Sequence, residues 1–165
     1  MKQSIMPKED HFIKIIREHQ ALIFKVSAMY TNDTHDQKDL YQEIVFQLWK
    51  SFDSFGQQSK ISTWMYRVAL NTAIKQLKSK KRQPRVTSLE AIELPGIDGA
   101  NNLMEDRLKR LHREIERLGV LERGIILLAL EGRKYEEIAE ITGLSVSNVG
   151  TRMARIRTKL KSELT

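Results

Sequence analysis

Cysteine is missing from all 165 residues, which excludes disulfides, thiolate metal sites and a cysteine nucleophile. Proline occurs three times, and Pro84 and Pro95 fall within one short stretch, so little elsewhere interrupts helices. No apolar run approaches the length of a membrane span, and the N-terminus lacks the apolar core of a signal peptide. A cytoplasmic protein without membrane insertion is therefore expected. Sustained period-two alternation is also absent, which argues against strands and makes an all-α fold the expectation. His11, His19, His35 and His112 are scattered, and no HExxH pair or paired-carboxylate site emerges, so neither a catalytic site nor a metal or other cofactor is expected. The nearest cluster is Asp33, His35, Asp36 and Asp39 at a helix start, where capping is the simpler role.

What the chain does have is positive charge. Its 28 Lys and Arg outnumber 21 Asp and Glu, for a net charge of +7 and a pI near 9.7, which favours a polyanionic partner. Hydrophobic residues make up 41% and charged ones 30%, enough for a packed core and against global disorder. The charge is uneven. Residues 1–83 hold 14 basic and 8 acidic side chains, whereas residues 84–104 hold one arginine against Glu90, Glu93 and Asp98. Residues 105–165 return to 13 basic and 10 acidic. The middle segment also carries Gly96 and Gly99 and loses helical periodicity, so it is read as a linker between two helical domains. An acidic tether fits either a basic protein channel or plain solvent. Fully extended, it spans at most roughly 70 Å.

Residues 135–160, YEEIAEITGLSVSNVGTRMARIRTKL, are the most informative stretch. Val149, Met153, Ile156 and Leu160 recur at steps of four, three and four, the apolar stripe of an amphipathic helix. Its other face carries Asn148, Thr151, Arg152 and Arg155, with Lys159 further along. Ile138, Ala139 and Ile141 mark a short helix before it, Gly143 can end that helix in the left-handed region, and Ser145 or Ser147 can cap the next. This pattern matches a DNA-binding helix-turn-helix; an ordinary helix pair with a solvated charged face is the plainer alternative. Two more helices are expected before it, one over residues 106–118 with Leu108, Leu111, Ile115 and Leu118, and one over residues 122–131.

The N-terminal part reads as three long helices. Phe12, Ile15, Ile16, Ile23 and Val26 give the first an apolar face. The second runs over residues 36–52 with Leu40, Ile44, Val45, Leu48, Trp49 and Phe52. The third begins after Ser62, a plausible cap, and buries Trp64, Met65, Val68, Ala69 and Leu77. Lys75, Lys78, Lys80, Lys81, Arg82 and Arg85 cluster at its end, more cations than a helix dipole requires, and read as a phosphate-contacting patch. The loop FDSFGQQSKIST could accept an unstacked base or be a polar connector. Tyr66, beside Arg67, reads as a stacking candidate, and Trp64 as core. Asp39, Gln42, Glu43 and Gln47 form a face that would repel DNA, suited either to a protein partner or to solvent.

DLYQEIVFQLWKSFDSF, followed by STWMYRVALNTAIKQLKSKKR, resembles the second domain of extracytoplasmic-function sigma factors. LERGIILLALEGRKYEEIAEITGLSVSNVGTRMARIRTKL resembles their fourth domain. The resemblance covers nearly the whole chain in the family's order. It implies an RNA polymerase specificity subunit that directs promoter recognition, −10 strand opening and transcription initiation, with core polymerase (β′ coiled coil and β flap), promoter DNA and an anti-sigma factor as partners. Carried over, Asp39, Leu40, Gln42 and Glu43 would face the β′ coiled coil. Phe55, Gln57, Lys60, Ser62, Thr63, Trp64, Arg67, Asn71, Lys75 and Lys78 would open and hold the −10 element. Asn148, Thr151, Arg152 and Arg155 would match the reading and phosphate-contacting positions of the helix that enters the −35 element, and the linker would thread toward the RNA exit path. A stand-alone helix-turn-helix regulator is the alternative, but it leaves the DL-x-QE face unexplained. The chain departs from the family at Gly150, where lysine or arginine is usual, at Asn148 and Ile156, and at Lys75 in place of a frequent aspartate.

Overall fold

The computed structural model describes residues 7–56, 59–81 and 102–164, and among these every regular element is a helix. The chain divides into two compact units, Met1–Ser79 and Lys80–Thr165. Among the described residues no helix is long and apolar enough to cross a membrane.

The first unit holds α1 (Lys8–Glu18), α2 (Gln20–Met29), α3 (Thr34–Ser51) and α4 (Ile61–Lys81). The single first helix expected from the apolar spacing is in fact two. At His19 the backbone leaves helical geometry (φ −117°), and the ring Nδ1 lies 3.0 Å from the Ile15 carbonyl. The His19 N–H keeps its bond to the same carbonyl at 3.1 Å, and the apolar face continues past the break, which hides it from a periodicity reading. Asp33 caps α3, its carboxylate accepting the Asp36 N–H at 2.7 Å, so α3 starts two residues earlier than expected. α4 likewise starts at Ile61, which places Ser62 inside the first turn rather than at the cap. α2 packs on α3, and Ile23, Val26, Leu40, Ile44, Leu48, Met65 and Ala69 form a core with essentially no exposure. Tyr66 is a correction: it is 2% exposed, pointing inward beside Met65, and offers no stacking surface. Val68 and Leu77 are only half-buried.

The second unit holds α5 (Asn102–Glu116), α6 (Val120–Leu130), α7 (Tyr135–Thr142) and α8 (Val146–Leu164), with α8 packed against the other three. α5 begins inside the stretch read as linker. Burial rises along it toward Ile115 and Leu118, while Leu103, Met104 and Leu108 stay exposed, so Leu108 is not the core residue its spacing implied. Gly143 ends α7 at φ +78°, donating to the Ala139 carbonyl at 2.9 Å, and Ser145 Oγ accepts the Asn148 N–H at 3.0 Å to start α8. Val149, Met153 and Ile156 are buried, as the stripe required, and Leu160 is half-buried.

Gly150 sits inside α8, and a Cβ there would meet nothing closer than Tyr135 Cε2 at 3.8 Å, an ordinary contact. Gly150→Ala is expected to stabilise the second unit by about 0.5–1 kcal/mol, because alanine loses less backbone entropy in a helix. Thermal unfolding of the full chain checks this; an unchanged or lowered midpoint of the second unit contradicts it.

Candidate nucleic-acid interface

The outer face of α8 is set by its capped start. Asn148, Thr151 and Arg155 are exposed, and Thr151 Oγ1 donates back to the Ser147 carbonyl at 3.1 Å. Arg152 is held from two sides. Its Nε donates to Asn148 Oδ1 at 2.9 Å, and its Nη1 bonds Glu122 Oε1 on α6 in a short contact. The pair is partly shielded, with side-chain exposures of 32% for Arg152 and 27% for Glu122. Glu122 was not among the site residues read from the sequence. It lies three residues after Gly119, the α6 N-cap, so the pattern could signal a helix start. Its partner thirty residues away could not be read. Lys159 Nζ donates to the Arg117 carbonyl at 3.4 Å, tying the far end of α8 to the end of α5.

α4 sorts the second group of residues. Arg67, Asn71, Lys75 and Lys78 follow at steps of four, four and three, which places them on one face of the helix. Asn71, Lys75 and Lys78 are exposed and Arg67 half-buried. One turn earlier on the same side of the helix, Thr63 and Trp64 are buried, at 2% and 7% exposure. Trp64 forms the floor of an aromatic cluster, with ring centroids 4.8 Å from Phe55 and 6.2 Å from Phe52. Phe12 packs edge-on against Phe52 at 5.3 Å and Trp49 at 5.0 Å. Beside this cluster lies an open depression of ≈ 640 Å³ lined by His11, Phe52, Phe55, Gly56, Ser59 and Ile61. Gly56 turns the loop there at φ +59°. Lys60 is exposed and Ser62 half-buried at the entry to α4. Gln57, Arg82 and Arg85 lie outside the described residues.

On α3, Asp39, Gln42 and Glu43 point outward, but Leu40 does not. At 1% exposure it stacks in line with Ile44 and Leu48, since steps of four keep a helix face constant. Leu40 therefore anchors the face rather than belonging to it. Phe46, missed by the sequence reading, takes the outward place. It is 52% exposed, three residues beyond Glu43, and Lys50 Nζ lies 5.5 Å over its ring. The signal was present: a phenylalanine at a polar-face position. Glu43 accepts from Gln47 Nε2 at 3.0 Å. On the same helix, burial raises the Tyr41 hydroxyl above its ordinary pKa, so it adds no charge near neutrality. Asp33, His35 and Asp36 offer ligand atoms within 4.8 Å of one another, and of these the Asp33 carboxylate is engaged as the α3 cap.

An all-helical chain with a basic helix-turn-helix in one unit and a cation-lined helix in the other belongs to a class that engages nucleic acid. Residues 15–83 match the family model for Sigma-70 region 2, and residues 108–160 match that for Sigma-70 region 4. The chain is 34% identical over 141 residues to the ECF RNA polymerase sigma-E factor of Escherichia coli (strain K12), spanning 78% of this chain and 74% of that protein. It is 30% identical over 154 residues to the sigma-E factor of Haemophilus influenzae, spanning 85% and 82%. In fold it is similar to the sigma factor RpoE crystallised with the anti-sigma factor NepR from Bartonella quintana, with a TM-score of 0.71 at 19% identity over 93% of this chain and 96% of that one. It is also similar to CnrH in complex with the cytosolic domain of CnrY, with a TM-score of 0.69 at 22% identity over 96% and 90%. The chain belongs to the ECF sigma factors of the sigma-70 family: it is an RNA polymerase specificity subunit that acts with polymerase on promoter DNA, and not an enzyme. A stand-alone regulator, the alternative open on the sequence, would have no use for region 2.

Proposed function

We propose that the two units divide promoter recognition between them, residues 1–83 acting on polymerase and the −10 element and residues 105–165 on the −35 element and the β flap. Asp39, Gln42 and Glu43, joined by Phe46, dock on the β′ coiled coil, with Leu40 holding that face rigid from behind. Arg67, Asn71, Lys75 and Lys78 track the backbone of the non-template strand. Phe55, Gln57 and Lys60 shape the loop that takes an unstacked base, with Ser62 and Thr63 fixing its junction with α4 and Trp64 supporting it from below. Strand opening costs a few kcal/mol per unstacked step. Base capture in the depression beside Phe55 and phosphate neutralisation by α4 offset part of that cost. Asn148, Thr151, Arg152 and Arg155 meet the major groove. Residues 84–104 act as a tether, whose acidity suits a basic channel of polymerase. The protein works in the cytoplasm, and an anti-sigma factor controls it, as NepR binds RpoE.

The observation that carries this reading is the course of α4. Its buried first turn, with Thr63 and Trp64, sits beside the aromatic cluster, and the same side then emerges as half-buried Arg67 and exposed Asn71, Lys75 and Lys78. Arg152→Ala is expected to lower promoter-specific transcription about tenfold or more, the range lost with a good base contact. Affinity for core polymerase should stay the same. Run-off transcription alongside a polymerase-binding titration tests this division; equal loss in both assays refutes it.

A further inference from the structure

We propose that Glu122 makes Asn148 and Arg152 a single donor-dominated reading surface, which selects guanine at one −35 position instead of the adenine that an unconstrained asparagine favours. This rests on the reading of α8 as the −35 helix.

The lock begins at Gly119. It is the N-cap of α6, at φ −56° and ψ 158°, and Glu122 is the third residue of that helix. The Glu122 carboxylate folds back over the helix start, so that a Cβ on Gly119 would lie 2.2 Å from its Oε2. A side chain at 119 would therefore push the Glu122 carboxylate out of this position. The positive end of α6 favours a carboxylate there, and the other oxygen takes Arg152 Nη1. Holding a long arginine side chain in one rotamer before DNA arrives removes an ordering cost from binding.

The consequence falls on Asn148. Arginine has no acceptor, so the atom facing Arg152 Nε at 2.9 Å must be the amide oxygen, and the amide cannot be flipped. Pairing with adenine needs that oxygen to accept from N6 while the amide nitrogen donates to N7. Here the oxygen is turned along the helix to Arg152. With one lone pair and its orientation committed to Arg152, the oxygen is a poorer acceptor for a base, which leaves the Asn148 amide N–H and Arg152 Nη2 as the dominant groups, both donors. Guanine presents two adjacent acceptors, N7 and O6, in the major groove and no donor. Arg155, exposed one turn nearer the C-terminus, has no such lock and contacts phosphate, which carries no sequence information.

Core polymerase reconstituted with the full chain, on a promoter library randomised at −35 with −10 fixed, tests the proposal by transcript sequencing. The wild type should favour guanine over adenine at one position by about tenfold or more. Glu122→Ala and Gly119→Ala should each lower that ratio to about threefold or less and raise adenine use there, with polymerase affinity unchanged. Arg155→Ala should reduce output on all −35 sequences alike. Should Glu122→Ala misfold by circular dichroism, Gly119→Ala carries the test, since its backbone angles suit alanine. A wild-type ratio retained in the folded variants overturns the proposal and leaves the −35 reading intact. So does a wild-type preference for adenine that Asn148→Ala erases. No −35 preference in any protein overturns the reading of α8 as well.

Discussion

Trp64→Ala is expected to remove about 3–5 kcal/mol of stability from the first unit, the range for deleting a buried aromatic. Trp64 is 7% exposed and touches both Phe55 and Phe52, so its loss opens a cavity beneath the loop and the entry of α4 at once. Domains carry only about 5–15 kcal/mol in total, so this single change brings the unit close to unfolding at physiological temperature. Denaturant unfolding of the full chain reads the effect, because Trp49, the other tryptophan of the chain, lies in the same unit and still reports on it. The second unit has its own core of Ile125, Leu128, Ile138 and Met153 and should keep its midpoint. A shift below about 1 kcal/mol in the first transition would show that the cluster is not a keystone, since that is no more than an average point mutation gives.

Replacing Asp39 and Glu43 together by alanine should weaken association with core polymerase by on the order of 10- to 100-fold. Losing charges that meet opposite charges in a complex has effects of this size, and the rim-exposed share should shrink with added salt. Neither side chain is part of the core: both are exposed with polar contacts along their own helix, α3 is capped by Asp33, and its packing rests on Leu40, Ile44 and Leu48. Titration of labelled protein against core polymerase at two salt concentrations measures the change. Undiminished affinity would remove α3 as the docking face. Phe46→Ala should add to the loss, because a half-exposed phenylalanine on that face offers apolar area to a partner.

Much of this architecture is written in local pattern. The α8 stripe, the Gly143 turn and the Ser145 cap depend on residues within one or two turns of each other, and each appears where its spacing placed it. Patterns of that range miss two kinds of event. One is a break that leaves the apolar face continuous, as at His19, where the backbone leaves helical geometry without disturbing the buried side. The other is contact at long sequence separation. Glu122 and Arg152 meet across thirty residues, and the inward turn of Tyr66 follows from the packing of a whole unit. Leu40 and Phe46 show the same limit within one helix: the motif names a face, but only packing sorts which side chains are inside it.

Core polymerase stripped of every other specificity subunit, given this purified chain and genomic fragments, tests the division of labour most directly. The expected result is discrete run-off transcripts, each starting a fixed distance downstream of a two-part element and sensitive to base changes in both parts. Random starts that the chain does not alter, or full-affinity promoter binding without polymerase, would contradict it.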